Sequence, residues 1–198
     1  MLASASPQRR AILERLGVRF TVRVTGVAEL EQGDPRQLTV ENARRKARAA
    51  VRAGAHEVVL GCDTVVALDG VAYGKPADER SARATLRALS ASTHEVFSGL
   101  ALVVGGEERT ALACTEVSFR ALEESVLAWY LATEEWRGRA GAYAIQGAGA
   151  ALIERVCGSY ENVVGLPLAA LLDIYPELLR GHRGEDPADR PGGAPPAG

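Results

Sequence analysis

The residues best suited to chemistry sit in Val58-Val59-Leu60-Gly61-Cys62-Asp63-Thr64-Val65-Val66, where one carboxylate interrupts a run that otherwise favours burial. A buried carboxylate is costly unless cations, donors or a metal stand beside it. Two roles are open to Asp63: an ionised group held for catalysis, or a strand-end residue whose side chain caps a turn. Downstream, Lys75 lies between Gly74, which permits close approach, and Pro76, which stiffens the backbone. It could present a point charge to a phosphate, or it could be a solvated loop lysine. The Walker pattern is not met, because Gly70 and Gly74 are separated by three residues and Pro76 stands where Ser or Thr is required.

Ser4-Ala5-Ser6-Pro7-Gln8-Arg9-Arg10 puts hydroxyls and two arginines on the first turn of a helix. Free N–H groups and the positive end of the helix dipole make such a turn an anion seat. Helix capping by Ser6 and Pro7 would account for the hydroxyl alone; the arginines favour phosphate. Arg44, Arg45, Lys46 and Arg48 read as a mostly solvated helix face with at most one member turned into a site. Gln146 sits in the small, glycine-rich run 140–149, which does not match GxGxxG. An amide there could read a base edge, or be an ordinary loop side chain. HExxH, GxSxG and EF-hand patterns are absent. His56, His94 and His182 are isolated, and none is assigned to a metal.

Elements able to position these groups follow from local signals. Ser6-Pro7 opens a helix that Gly17 closes, and Phe20–Val24 alternates like a strand. Gln37–Ala53 reads as a helix ending at Gly54. Val58–Leu68 reads as a buried strand running into a turn at Asp69-Gly70. Glu79–Leu89 is helical, with Ala82, Leu86 and Leu89 inward. His94–Val104 and Arg109–Phe119 flank Gly105-Gly106 as a hairpin. Glu123–Ala132 is helical, Ala150–Val156 a strand, and Leu168–Tyr175 a last helix stopped by Pro176. The expected class is α/β (mixed α+β), built on a mixed sheet flanked by helices.

The 198 residues suit one domain, placed at 1–180, and the segment 181–198 reads as a disordered Gly/Pro-rich tail. Twenty-three Lys and Arg against 25 Asp and Glu leave a formal charge of −2, so no footprint for duplex nucleic acid is expected. Cys62, Cys114 and Cys157 form no CxxC pair and are each expected to be small buried residues. No apolar run is long enough to span a bilayer and no signal peptide is evident, which reads as cytoplasmic.

Five segments together resemble motifs of the Maf family of nucleotide pyrophosphatases. Leu2-Ala3-Ser4-Ala5-Ser6-Pro7-Gln8-Arg9-Arg10 resembles LASxSPRR, 61–66 resembles GADTVV, and Gly74-Lys75-Pro76 resembles GKP. The run 140–147 resembles AGAYGIQG, and 158–167 resembles GSYxNVVGLP. The resemblance runs from Leu2 to about Leu179. It implies two lobes around a central cleft, often in a homodimer, and hydrolysis of a nucleoside triphosphate to the monophosphate and pyrophosphate. It also implies a divalent cofactor, Mg2+ or Mn2+.

Carried over, Asp63 would be the general base, and Glu29 with Asp63 would hold the metal. Ser6, Arg9, Lys46 and Lys75 would bind phosphates. Thr64 resembles the branch that takes dTTP and UTP, with Gln146 as base reader. Where the family has the first Arg of SPRR this chain has Gln8, a position of that branch's specificity set. Gly138-Arg139 replaces the usual Asp-Lys, Ala144 replaces a Gly, and only Met1 precedes Leu2. Two other functions are weighed beside this one: a nucleotide-binding regulator of septation, since the family was linked by name to septum formation, and a house-cleaning pyrophosphatase for modified nucleotides.

Overall fold

A computed structural model of the chain describes residues 1–52 and 57–182. His56 and the tail beyond residue 182 lie outside the described residues, and the helix expected to run to Ala53 ends earlier, at Ala50, where Val51 turns to extended backbone.

Five strands form one sheet in the order β2-β1-β3-β4-β5, every neighbouring pair antiparallel. They are β1 (Val59–Leu68), β2 (Val71–Tyr73), β3 (Thr93–Val104), β4 (Glu107–Phe119) and β5 (Ile153–Cys157). Asp69-Gly70, with φ of 51° and 77°, and Gly105-Gly106, with φ of 58° and 88°, turn the two tight hairpins. Two successive left-handed residues match the right-handed twist of the flanking strands. Among the described residues parallel pairing enters only through Leu2, which bridges both Val22 and Leu60. The expected strand Phe20–Val24 is reduced to that bridge at Val22, with the flanking bonds Leu2 N–H to Thr21 O and Arg23 N–H to Leu2 O.

The helices are α1 (Pro7–Arg15), α2 (Pro35–Ala50), α3 (Glu79–Leu89), α4 (Glu124–Ala132), α5 (Tyr160–Val164) and α6 (Leu168–Ile174). Helix α2 begins two residues before the expected Gln37, since the Asp34 carboxylate accepts the N–H groups of Arg36 and Gln37, at 3.0 Å each, and Pro35 fills the first turn. In α3, Asp78 and Ser81 form a reciprocal capping box. The last expected strand starts at Ile153 rather than Ala150, because Ala148–Leu152 winds into a 3-10 turn.

Strand alternation divides the side chains of β1 between two faces. On one face Leu60 and Cys62 join an apolar cluster with Leu2, Ile12, Leu13, Leu100, Leu166 and Leu171. Val66 joins a second cluster with Leu86, Leu89, Val96, Tyr130 and Trp136. Between them, on the same face, come Thr64 and its strand partner Ser98. The two lobes are these two cores, separated by a polar band.

On the other face α2 lies directly on the sheet. A Cβ on Gly61 would overlap the carbonyl oxygen of Ala43, and one on Gly99 would overlap the carbonyl of Thr39. The helix covers β1 and β3 but reaches β4 chiefly where Arg44 and Arg48 pair with Glu108, at 2.6 and 2.7 Å. That limited cover corrects the expectation for the cysteines: Cys62 is buried, whereas Cys114 and Cys157 are exposed. Partial burial and the neighbouring Glu95 push the Cys114 thiol up to about 11, well away from the thiolate form at neutral pH.

His94 is fully buried between Phe119 and Tyr143, with Nε2 3.0 Å from the Tyr143 hydroxyl and Nδ1 without a partner among the described residues. Desolvation lowers its pKa to about 4.

Two predictions follow from this packing. Gly61→Ala or Gly99→Ala should each cost roughly 3 kcal/mol, measured by urea denaturation, because backbone rather than a flexible side chain must yield. For His94 the unfolded chain binds the proton more readily than the folded one, so stability is intact above the unfolded value near 6.5 and is lost as pH falls towards 4. From pH 7 to pH 5 this group should remove about 2 kcal/mol of stability, and His94→Leu should flatten that dependence.

Candidate active site

The edge of the sheet at β1 is interrupted. The N-terminal segment pairs with β1 only around Leu60, through Leu60 N–H to Met1 O and Ala3 N–H to Leu60 O, at 2.9 and 2.8 Å. Strand β2 pairs only with Val66–Leu68. Between these two stretches no strand covers β1 among the described residues, and Asp63 and Thr64 lie in that gap. The chain continuing from Ala3 carries Ser4, Ser6 and Arg9 along one side, and the chain continuing from Tyr73 carries Lys75 along the other.

On the α2 face, three of the expected site residues come together. Lys46 Nζ lies 2.6 Å from Asp63 Oδ1 and 2.8 Å from Glu29 Oε1. Asp63 Oδ2 accepts a hydrogen bond from Asn42 Nδ2 at 3.1 Å. Asp63 is 7% exposed. Asn42 and Lys46 are four residues apart on α2 and so share its inner face, whereas Arg44, Arg45 and Arg48 pair outward with Glu108 and Glu41. Only one cation of that basic helix reaches the site.

Thr64 points to the opposite face of the sheet. Its Oγ1 accepts from Arg9 Nη2 at 3.0 Å and shares a proton with Ser98 Oγ at 2.8 Å. Buried Arg9 also donates from Nε to Gly165 O and from Nη1 to Ser4 Oγ, at 2.8 Å each. One N–H remains on each terminal nitrogen. Ser6 Oγ accepts the Arg9 N–H at 3.4 Å as the cap of α1 and donates to Gln8 Oε1 at 3.2 Å. Glycine at 165, with φ of 123°, ends α5 and aims its carbonyl at Arg9.

Lys75 and Gln146 are both exposed, and neither makes a hydrogen bond or ion pair among the described residues. Their backbones are nonetheless placed. Gly141, in the left-handed region, donates its N–H to Gly74 O at 3.2 Å, and a Cβ there would strike the Val66 side chain. The glycine-rich turn therefore packs onto β1 and holds the residue before Lys75. No bond joins Gln146 to Asp63 or Thr64 among the described residues.

Three further polar residues complete the two groups, Ser4, Asn42 and Ser98, all buried; Ser4 lay in the hydroxyl-rich stretch before α1, whereas Asn42 and Ser98 were not singled out. For Asn42 a clue existed, since it falls in the stripe Leu38, Ala43, Ala47, Ala50 that α2 buries. A polar side chain in such a stripe requires a partner.

Among the described residues no cluster of three or more His, Cys, Asp or Glu side chains gathers around one point. Two carboxylates do converge, those of Glu29 and Asp63 around Lys46 Nζ. Hard divalent cations such as Mg2+ are held by one or two carboxylates supplemented by substrate phosphates and water, so this donor set fits one. Two of the four lone-pair positions on Asp63 are used by Lys46 and Asn42, which leaves the carboxylate able to accept a further proton donor.

A chain from Deinococcus radiodurans named dTTP/UTP pyrophosphatase is 45% identical over 182 residues, covering 91% of this chain and 91% of that one. Relatives of the same name in Pyrococcus furiosus and Escherichia coli are 38% and 42% identical, covering 88% and 87% of this chain and 92% and 89% of their own. The model of the Maf family, described as Maf-like protein, matches residues 1–178. With the whole length of the folded elements matched, the chain belongs to the Maf family.

Proposed function

We propose that this chain hydrolyses nucleoside triphosphates, dTTP and UTP first among them, to the monophosphate and pyrophosphate. The observation that carries the reading is the buried Asp63, ion-paired to Lys46 beside Glu29, in the uncovered stretch of β1. The names of the relatives in three distant organisms support the same substrates.

In this reading Asp63 accepts a proton from water as the water oxygen attacks the α-phosphorus. The bond from that phosphorus to the bridging oxygen breaks, and pyrophosphate leaves with the bonding pair. Positioning and compensation of oxyanion charge supply most of the acceleration in such chemistry. Lys46 and Lys75 offset that charge, while Ser6 and the free N–H groups of Arg9 hold phosphate oxygens at the first turn of α1. Glu29 and Asp63 would hold Mg2+ or Mn2+, whose contribution when bound is to neutralise phosphate charge. On the opposite face Thr64, bonded to Arg9, belongs to the substrate-binding set, with Gln146 offering its amide to a base edge.

Of the described helices none is long and apolar enough to cross a membrane, which suits action on nucleotides in the cytoplasm. A homodimer belongs to the same reading.

The test is pyrophosphate release with Mg2+ or Mn2+ across dTTP, UTP, CTP, GTP, ITP and methylated triphosphates. Asp63→Asn should lower turnover by 10²- to 10⁴-fold, as loss of a general base does. Turnover spread evenly over the panel would keep the chemistry and assign the loss of selectivity to Gln8. Absence of turnover with intact nucleotide binding would replace hydrolysis by a binding role.

Lys46→Met leaves two carboxylates facing each other, one of them buried. It should cost about 3 kcal/mol of stability near neutral pH by urea denaturation, and adding Asp63→Asn should restore part of that loss.

A further inference from the structure

The amide of Asn42 makes three hydrogen bonds, and together they tie two separate parts of the chain to one point. Its Oδ1 accepts the Leu30 N–H at 2.7 Å, and its Nδ2 donates to Leu30 O at 3.0 Å and to Asp63 Oδ2 at 3.1 Å. Both amide hydrogens and the oxygen are thus engaged by a side chain that is 1% exposed. Leu30 follows Glu29, and residues 24–33 contain no helix or strand. The backbone beside Glu29 therefore takes its pairing from a side chain of α2 rather than from a ladder. Supporting that loop would need only the two bonds to Leu30. The third bond, to the buried carboxylate of Asp63, goes beyond what loop support requires.

We propose that Asn42 is a positioning residue that sets the carboxylates of Glu29 and Asp63 at the separation in which both hold one divalent cation. The inference rests on the reading of Glu29 and Asp63 as the metal pair. Its physical basis is direct. Glu29 has a half-exposed side chain on an irregular segment, and the clamp on the next residue fixes the backbone from which its carboxylate reaches Lys46. Groups that orient metal-binding carboxylates by hydrogen bonding typically affect metal affinity by 10- to 100-fold when removed. Lys46 touches both carboxylates as well, but through one flexible stem that can swing towards phosphate; the amide is held on three sides and cannot.

The experiment is a Mn2+ titration of the full chain followed by electron paramagnetic resonance of free Mn2+, without nucleotide, for wild type, Glu29→Gln, Asp63→Asn, Asn42→Ala and Asn42→Ser. Asn42→Ala should weaken Mn2+ binding at least 10-fold, with Asn42→Ser between it and wild type. Hydrogen exchange of the peptide covering 27–33 should slow on Mn2+ addition in wild type, a readout that needs no substitution at position 42. If Glu29→Gln and Asp63→Asn weaken binding while Asn42→Ala stays within twofold of wild type, the positioning role is overturned and the metal pair stands. If neither carboxylate variant weakens binding, the metal pair falls and the role of Asn42 falls with it. Unchanged exchange in 27–33 on saturation with Mn2+ likewise overturns the inference.

Discussion

A carboxylate buried in the middle of a strand must be met by a cation and by hydrogen-bond donors at fixed places, and the architecture around Asp63 is organised by that demand. The donors come from α2, so α2 must lie close to the sheet and in one register. Glycines at 61 and 99 remove the side chains that would hold the helix away, and Ala43 and Ala47 keep its own inner surface low. With the axis that near, residues one turn apart on the helix reach the two oxygens of one carboxylate. Such a pair adds little to stability compared with an apolar replacement of similar volume. Its presence in a core otherwise built of small apolar residues is therefore best explained by chemistry.

The same demand is what made part of the site legible in the sequence. A charge inside an apolar run is visible without any structure, and so is a helix cap followed by arginines. The hairpins were legible because two adjacent glycines, or Asp before Gly, state their backbone conformation locally. Helix α3 was legible to its end residues, since its capping residues and inward stripe agree. Less legible was whatever depends on what lies opposite. Cys114 alternates like a core residue but faces the part of the sheet that α2 does not cover. Phe20–Val24 has the pattern of a strand but, among the described residues, bridges only to Leu2. Helix α5, at five residues, is too short for a period to show. Asn42 looks solvent-facing in a segment rich in arginine until its neighbours on the helix stripe are counted.

Lys75 and Gln146 mark another boundary of what sequence alone supports. Their motifs resemble those of the family closely, yet both side chains stand free in solvent while the backbones that carry them are fastened by Gly74 and Gly141. Local sequence specifies the fastening, through glycine conformations and close contacts.

Because Asp63 and Thr64 are consecutive residues of an uncovered strand, they project to opposite sides of the sheet, one towards Lys46 and the other towards Arg9 and Ser98. Among the described residues, the side chains hydrogen-bonded to one are not bonded to the other. An exchange at position 64 would therefore act first on the bonds to Arg9 and Ser98 rather than on the charged group beneath α2. That separation makes the two neighbours mechanically independent: the bonds that hold one do not run through the bonds that hold the other.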